Sequence, residues 1–220
     1  MRVQLDFLSV LSQWPLLLTG VLWTIGLTVI SAVIGVGLGV AFAWCRVHAT
    51  PSVKWIVGTY VELIRNTPFI VQLFFVFFGL PAAGVRLSPE TASVIAMVIN
   101  LSAYATEIVR AGLVATPRGQ VEAALSLALS RAQIFLHVVL PPALKKVWPA
   151  LVSQIVIVML GSAVCGQIST PELSFAANLI QSRNFRAFEA YIIATGIYLV
   201  LAIGVREGLN WLGPRYLFGR

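Results

Sequence analysis

Few side chains in this 220-residue chain can do chemistry, and the ones that can stand inside long apolar runs. Arg65 and Glu107 are the outstanding cases. An ionised group at the middle of a bilayer costs about 2.5 to 3.5 kcal/mol on insertion scales, so each must face protein or water. Asn100, Tyr104 and Glu107 fall at i, i+4 and i+7 and share one helical face, while Gln72 lies two turns beyond Arg65. Such stripes line a cavity. They suit a zwitterion with a polar side chain, its carboxylate on Arg65 and its amine on Glu107. The alternative is local: Glu62 with Arg65, and Glu107 with Arg110, are each three residues apart and can close as salt bridges near the inner face. Gln154 and Ser162 are weaker candidates, since Gln and Ser in spans often only hydrogen-bond neighbouring helices.

Nothing in the chain resembles a catalytic or metal-binding set. Cys45 and Cys165 are the only cysteines, lie in or beside apolar segments, and read as small packing residues. A haem or quinone carrier would want histidines inside spans, whereas His48 and His137 fall in expected inner-side loops. No Gly-x-x-x-x-Gly-Lys-Ser/Thr loop occurs, so the chain has no visible means of binding ATP.

The elements that position these residues are membrane spans. With 59% apolar and 10% charged residues, and a mean hydropathy of +0.91, the chain lacks the roughly one-quarter charged residues of a soluble domain. Its surface must face lipid. The net charge of +7 is scattered between apolar runs and forms no basic patch, which argues against nucleic acid and for anionic lipid headgroups as counter-charge. No cleavage pattern precedes the first apolar run, so no cleaved signal peptide is expected.

A spanning helix needs about 20 mostly apolar residues, and five segments qualify. They are Leu16 to Trp44; a helix from about Ser52 carrying Glu62 and Arg65 inward through Phe69 to Leu80; Ser88 to Gly112; a span between Lys146 and Glu172; and Ala187 to Gly208. No alternating strand pattern appears, so the expected fold is all-α, a multi-pass helical bundle. If the N-terminus is outside, ten Lys/Arg residues (Arg46, Lys54, Arg110, Arg118, Arg131, Lys145, Lys146, Arg206, Arg215, Arg220) fall inside against four (Arg2, Arg86, Arg183, Arg186) outside. That asymmetry puts the N-terminus outside and the C-terminus inside. Trp14, Trp44, Trp55, Trp148 and Trp211 fall near span ends, as interfacial anchors. Gly35 and Gly39, four apart, can bring the first span close to another helix.

The connection Leu113 to Lys146 reads as two short helices. Thr116 caps the first, with Pro117 at its first position and Val121, Ala124, Leu125 and Ala128 at helical spacing. Ser130 caps the second, Gln133 completes a capping box, and Pro141 and Pro142 stop it. An amphipathic pair lying on the leaflet is one reading. Its polar face, with Glu122, Ser126, Gln133 and His137, is mostly uncharged, and that favours a groove in a protein partner.

The same loop carries a resemblance. Glu122-Ala123-Ala124, then Ser130-Arg131 and Val139-Leu140-Pro141, resembles the Glu-Ala-Ala loop of ATP-binding-cassette importer permeases. Arg65-Asn66-Thr67-Pro68, the run from Tyr104 to Arg110, and Pro171-Glu172-Leu173 are similar to stretches of the polar amino-acid permease subfamily, and the likeness covers about Leu16 to Gly213. It implies a type I importer permease of five spans, one transmembrane domain over 1–220, with the cytoplasmic loop 113–146 docking on an ATPase through Glu122, Ala123, Ala124, Ala128, Ser130, Arg131, Leu140 and Pro141. It further implies two ATPase subunits that use the ATP and Mg, a second permease subunit, and a periplasmic solute-binding protein. The substrate is then an amino acid, and the location a bacterial inner membrane. A secondary transporter or channel without an ATPase is the competing reading, but five spans hold no internal repeat and would leave the folded loop without a purpose.

Two departures stand out. The family usually has Gly where Ala128 stands, and a left-handed backbone there costs a residue with a Cβ roughly 1 kcal/mol. Relatives often carry Lys-Asp-Thr-Ser inside the fourth span, where this chain has Leu160, Gly161, Ser162 and Ala163. The missing charges suggest one half of a pseudo-symmetric heterodimer whose other half makes most substrate contacts.

Overall fold

A computed structural model describes residues 5–213 and 215. Arg2 and Arg220, both used in the charge count, lie outside them. After a single turn, Leu8–Leu11, come α1 (Trp14–His48), α2 (Pro51–Arg65), α3 (Phe69–Ala82), α4 (Pro89–Val114), α5 (Arg118–Ser126), α6 (Arg131–Ile168), α7 (Leu173–Asn184) and α8 (Ala187–Leu212). Four of these, α1, α4, α6 and α8, are long and apolar enough to cross a membrane, and α2 with α3 makes a fifth if counted as one span.

Helix α1 has 35 residues, about 52 Å at 1.5 Å per residue, and so outruns a hydrocarbon core of about 30 Å. Apart from Leu17 and Leu27, its buried stripe is made of small and polar residues, Gly20, Thr24, Thr28, Ser31, Gly35 and Gly39 among them. In lipid no hydrophobic force drives helices together, so close backbone approach has to supply the packing. A Cβ on Gly39 would lie 2.5 Å from the Ala105 Cβ, and one on Gly20 would lie 2.7 Å from the Leu173 Cα. The expected close approach at Gly35 and Gly39 is therefore made, against α4.

The second expected span is not one helix. It breaks at Asn66–Pro68 and turns by 109° between α2 and α3. Proline disfavours helical backbone in the residue before it and offers no N–H, so Pro68 ends the ladder that Glu62 and Arg65 were expected to continue. Gln72 thus does not share a helix with Arg65.

Prolines act differently in α6. Pro141 and Pro142 were expected to stop the second short helix, yet α6 runs from Arg131 through both to Ile168. A π-helical stretch, Ile134–Val139, precedes them and shifts the hydrogen-bond register where the proline donors are missing. The fourth span accordingly begins 15 residues before Lys146. It closes in a tightened 3₁₀ stretch, Ser162–Ile168, and reverses at Ser169, whose φ of 67° is left-handed.

Hydropathy marks no element between the fourth and fifth spans. The segment there holds α7, capped by Glu172, whose fully buried carboxylate accepts from the Ser174 and Phe175 amides at 2.9 and 2.7 Å and from the Tyr198 hydroxyl of α8. Burial pushes this carboxyl up, against the hydrogen bonds that pull it down. Thr170 bonds Ser93 at 2.7 Å and donates to the Pro89 carbonyl, while Thr24 accepts from the Leu173 amide at 3.2 Å. One knot of polar groups therefore joins α1, α4, α7 and α8 at the end of the bundle away from the α5 loop. Cys165 is buried beside it, as a packing residue. Trp148, expected as an anchor, donates its indole N–H to the Leu209 carbonyl and ties α6 to α8.

Candidate functional site

The break between α2 and α3 is where the polar residues gather. Gln72, buried, donates its Nε2 to the Ile64 and Thr67 carbonyls at 2.7 and 3.1 Å, so its side chain satisfies groups that Pro68 leaves without partners. Its Oε1 accepts from Asn100 Nδ2 of α4 at 2.9 Å. Its Nε2 also reaches the Thr67 hydroxyl at 2.9 Å, so the whole side-chain amide of Gln72 is spent on structure. Tyr104, one turn on, donates to the Arg65 carbonyl at 3.4 Å, and the Arg65 guanidinium sits 5.5 Å from its ring centroid. Among the described residues no ion pair joins Glu62 to Arg65, and Arg65 is exposed.

Glu107 behaves otherwise. Arg110 holds it with Nε and Nη2 both donating to Oε2, at 2.9 and 2.7 Å, and Arg46 of α1 approaches Oε1 at 3.6 Å. The local pairing expected as the alternative is thus made for Glu107 and not for Arg65. Arg46 was missed. It also donates to the Lys54 carbonyl of α2 at 3.2 Å, and a Cβ on Gly58 would collide with it. A signal was present: Arg46 is the first formal charge after Asp6, and such a residue at a span end needs a counter-charge.

Span four reaches this region at Gly161, one of the positions where relatives often carry charge, and at Ile157 and Val158, which were not expected. Ile157, Val158 and Gly161, with Phe69 and Asn100, line a small hollow of about 90 Å³. Gln154 is buried on α6, and Ser162 is turned back to the Met159 carbonyl at 2.6 Å. Period-3.6 counting from Gln154 marks Ile157, Val158 and Gly161 as its own face, so the signal lay in the spacing and not in polarity. Arg65, Gln72, Asn100 and Tyr104 are therefore brought together, Glu107 sits beside them in its own ion cluster, Gln154 lies on the α6 face that lines the hollow, and Ser162 is turned back onto its own helix.

The α5 loop folds as a compact cap. Its first helix starts at Arg118 with Pro117 in the cap position, while the Thr116 hydroxyl bonds back to the Gly112 carbonyl at 3.4 Å; Thr116 is not the cap it was expected to be. Pro117 with ψ of 133° is extended, and that delays the helix by one residue. Ser130 and Gln133 make the expected capping box, with Gln133 Oε1 accepting from the Ser130 amide at 2.8 Å. Ala124 is buried in a cluster with Ala43, Val109, Ile134 and Leu151, whereas Glu122 and Ala123 are exposed. Ala128, where a glycine was expected by likeness, adopts φ of 57°, so the left-handed link survives with a Cβ. Ser130 and Arg131 begin α6, and Leu140 with Pro141 lies just after its π stretch.

Residues 34–217 match the family described as binding-protein-dependent transport system inner membrane component. The chain belongs to that family. Relatives of this permease include the probable glutamine ABC transporter permease protein GlnM of Bacillus subtilis, 38% identical over 81% of this chain and 82% of the relative. The arginine transport system permease protein ArtQ of the same organism is 33% identical over 91% and 92%. Among solved structures, a chain from an amino acid ABC transporter crystallised with histidines superposes with a TM-score of 0.85 at 36% identity, covering 96% of this chain and 98% of that one. A chain from the inward-facing MetNI methionine ABC transporter shares the fold, with a TM-score of 0.69 at 18% identity over 91% and 98%. The permease is a membrane transport subunit, and ATP hydrolysis in this family belongs to a separate subunit.

Proposed function

We propose that this permease forms half of the pathway of an ATP-driven importer for polar amino acids in the bacterial inner membrane. The observation that carries the reading is the break at Asn66–Pro68 with Arg65, Asn66 and Thr67 exposed beside it. Irregular backbone and an exposed guanidinium at membrane depth are tolerated only against protein or a water-filled cavity. A second permease subunit facing this flank supplies the other wall. Arg65, with its aromatic backing on Tyr104, is the group that meets the substrate carboxylate, next to the hollow under Asn100. Glu107 is committed to two arginines and positions α4 against α1, so the amine is met elsewhere, in this reading by the partner permease. Leu160 and Gly161, without the charges of many relatives, support a partner that differs from this chain.

The N-terminus faces the periplasm, where a solute-binding protein delivers substrate, and the segment 113–146 faces the cytoplasm. There Glu122, Ala123 and Ser130, which caps α6, dock on the ATPase, two copies of which use ATP and Mg. Ala124, Leu140 and Pro141 hold the docking helix to the spans. The test is uptake of labelled amino acids into vesicles holding the full complex. Arg65→Gln is expected to lower uptake at least tenfold while the complex keeps its assembly and its thermal midpoint; wild-type uptake in that variant refutes the site. Uptake that persists without nucleotide would favour a secondary transporter.

A further inference from the structure

A second concavity lies away from that pathway, between the end of α1 and the α5 loop. Its volume is about 430 Å³, and Trp44, Val121, Leu125 and Phe135 wall it, with His48 and Arg131 as its polar residues. Trp44 and His48 stack at 5.8 Å, and Phe135 closes on both at 6.3 Å. His48 and Arg131 are exposed, and no acidic side chain lines the groove. Glu122, the acid of the loop, lines an adjoining hollow with Arg118, and that hollow shares His48, Val121 and Val139 with the groove. Glu122 lies about a quarter turn round α5 from Val121, on the side given above to the ATPase.

We propose that this groove seats an anionic phospholipid of the inner leaflet. One acyl chain lies along Leu125, Val121 and Phe135, and the phosphate sits on Arg131 with His48 beside it. An exposed tryptophan at a span end marks headgroup depth, and apolar walls there are filled by lipid tails more readily than by water. The charge of the leaflet chooses between lipids: anionic headgroups are attracted to Lys and Arg near the surface, and Arg131 stands in the groove with no acid among its described lining residues. Occupancy would link the cap's seating on α1 to lipid composition. The inference rests on the cytoplasmic placement of α5 proposed above.

The test uses the full complex in vesicles of equal phosphatidylglycerol and phosphatidylcholine, with Leu125→p-benzoylphenylalanine as a photo-crosslinker. The expected adduct is phosphatidylglycerol over phosphatidylcholine by at least threefold, falling to about one when Arg131→Gln and His48→Gln are added. Equal capture of both lipids, or a crosslink to the ATPase in place of lipid, overturns the proposal. Should the crosslinking variant fail to assemble, the probe is brominated phosphatidylglycerol in the unmodified complex. It should quench tryptophan fluorescence more than brominated phosphatidylcholine, with the difference lost in Trp44→Phe; no difference overturns the proposal. Labelling of Ser126→Cys by an impermeant maleimide separates the two failures, because label arriving from the periplasmic side refutes the orientation and not the groove's chemistry.

Discussion

Asn100 donates to the Gln72 side-chain oxygen at 2.9 Å, and through that bond α4 holds the broken span at its break. Gln72 in turn carries the Ile64 and Thr67 carbonyls. Gln72→Leu keeps much of the volume and strands those carbonyls together with the Asn100 amide, each at about 1–3 kcal/mol. The complex is expected to melt several degrees lower. Gln72→Glu separates the roles, since a carboxylate still accepts from Asn100 and cannot donate to the carbonyls; it should be about as damaging. An unchanged melting profile for both would show that the break holds itself.

Glycine on α1 acts by position. A Cβ on Gly39 would sit 2.5 Å from that of Ala105, while one on Gly37 meets nothing within 4 Å. Gly39→Ala is expected to destabilise by about 1–3 kcal/mol through overpacking. Gly37→Ala should be neutral or slightly stabilising, because alanine loses less entropy in a helix. Thermal unfolding of the two variants side by side checks this, and equal behaviour would contradict the packing described.

Much of this bundle was legible because two of its signals are local. Apolar runs long enough to span, and Ser130 with Gln133 at capping-box spacing, depend only on neighbours in sequence. So α1, α4 and α8 fall close to where the hydropathy put them. Pro68, Pro141 and Pro142 show where that reading runs out. The same residue type breaks the chain at 68 and is absorbed at 141–142, because a π stretch lies ahead of the second pair and only tertiary packing decides which occurs. Candidate site residues divided in the same way. Polarity found Arg65, Gln72, Asn100 and Tyr104, and likeness to relatives marked Gly161, but the apolar Ile157 and Val158 carry no such mark, and Arg46 meets Glu107 only once α1 and α4 are packed.

The Arg46–Glu107–Arg110 cluster predicts strong coupling. Glu107→Gln leaves two guanidiniums crowded without their counter-charge, and partial exposure of all three side chains limits the loss to about 1–3 kcal/mol. Arg46→Met alone should cost less, since Arg110 still satisfies Glu107. In a double-mutant cycle the pair should show a coupling above about 0.5 kcal/mol. Strict additivity would mean that the 3.6 Å approach of Arg46 contributes nothing.

Ala128 stands at φ of 57° in the link between α5 and α6. Left-handed backbone costs a residue with a Cβ roughly 1 kcal/mol, and glycine there is relieved of that while giving back about half in the greater freedom of its unfolded chain. Ala128→Gly should therefore stabilise the cap by about 0.5 kcal/mol. Amide exchange over 125–131 in the assembled complex is the sensitive readout, because opening of the cap need not unfold the spans. Slower exchange in the variant is the expected result. Faster exchange would mean that the alanine methyl packs well enough to outweigh its backbone strain, and the link would then be set by side-chain contact.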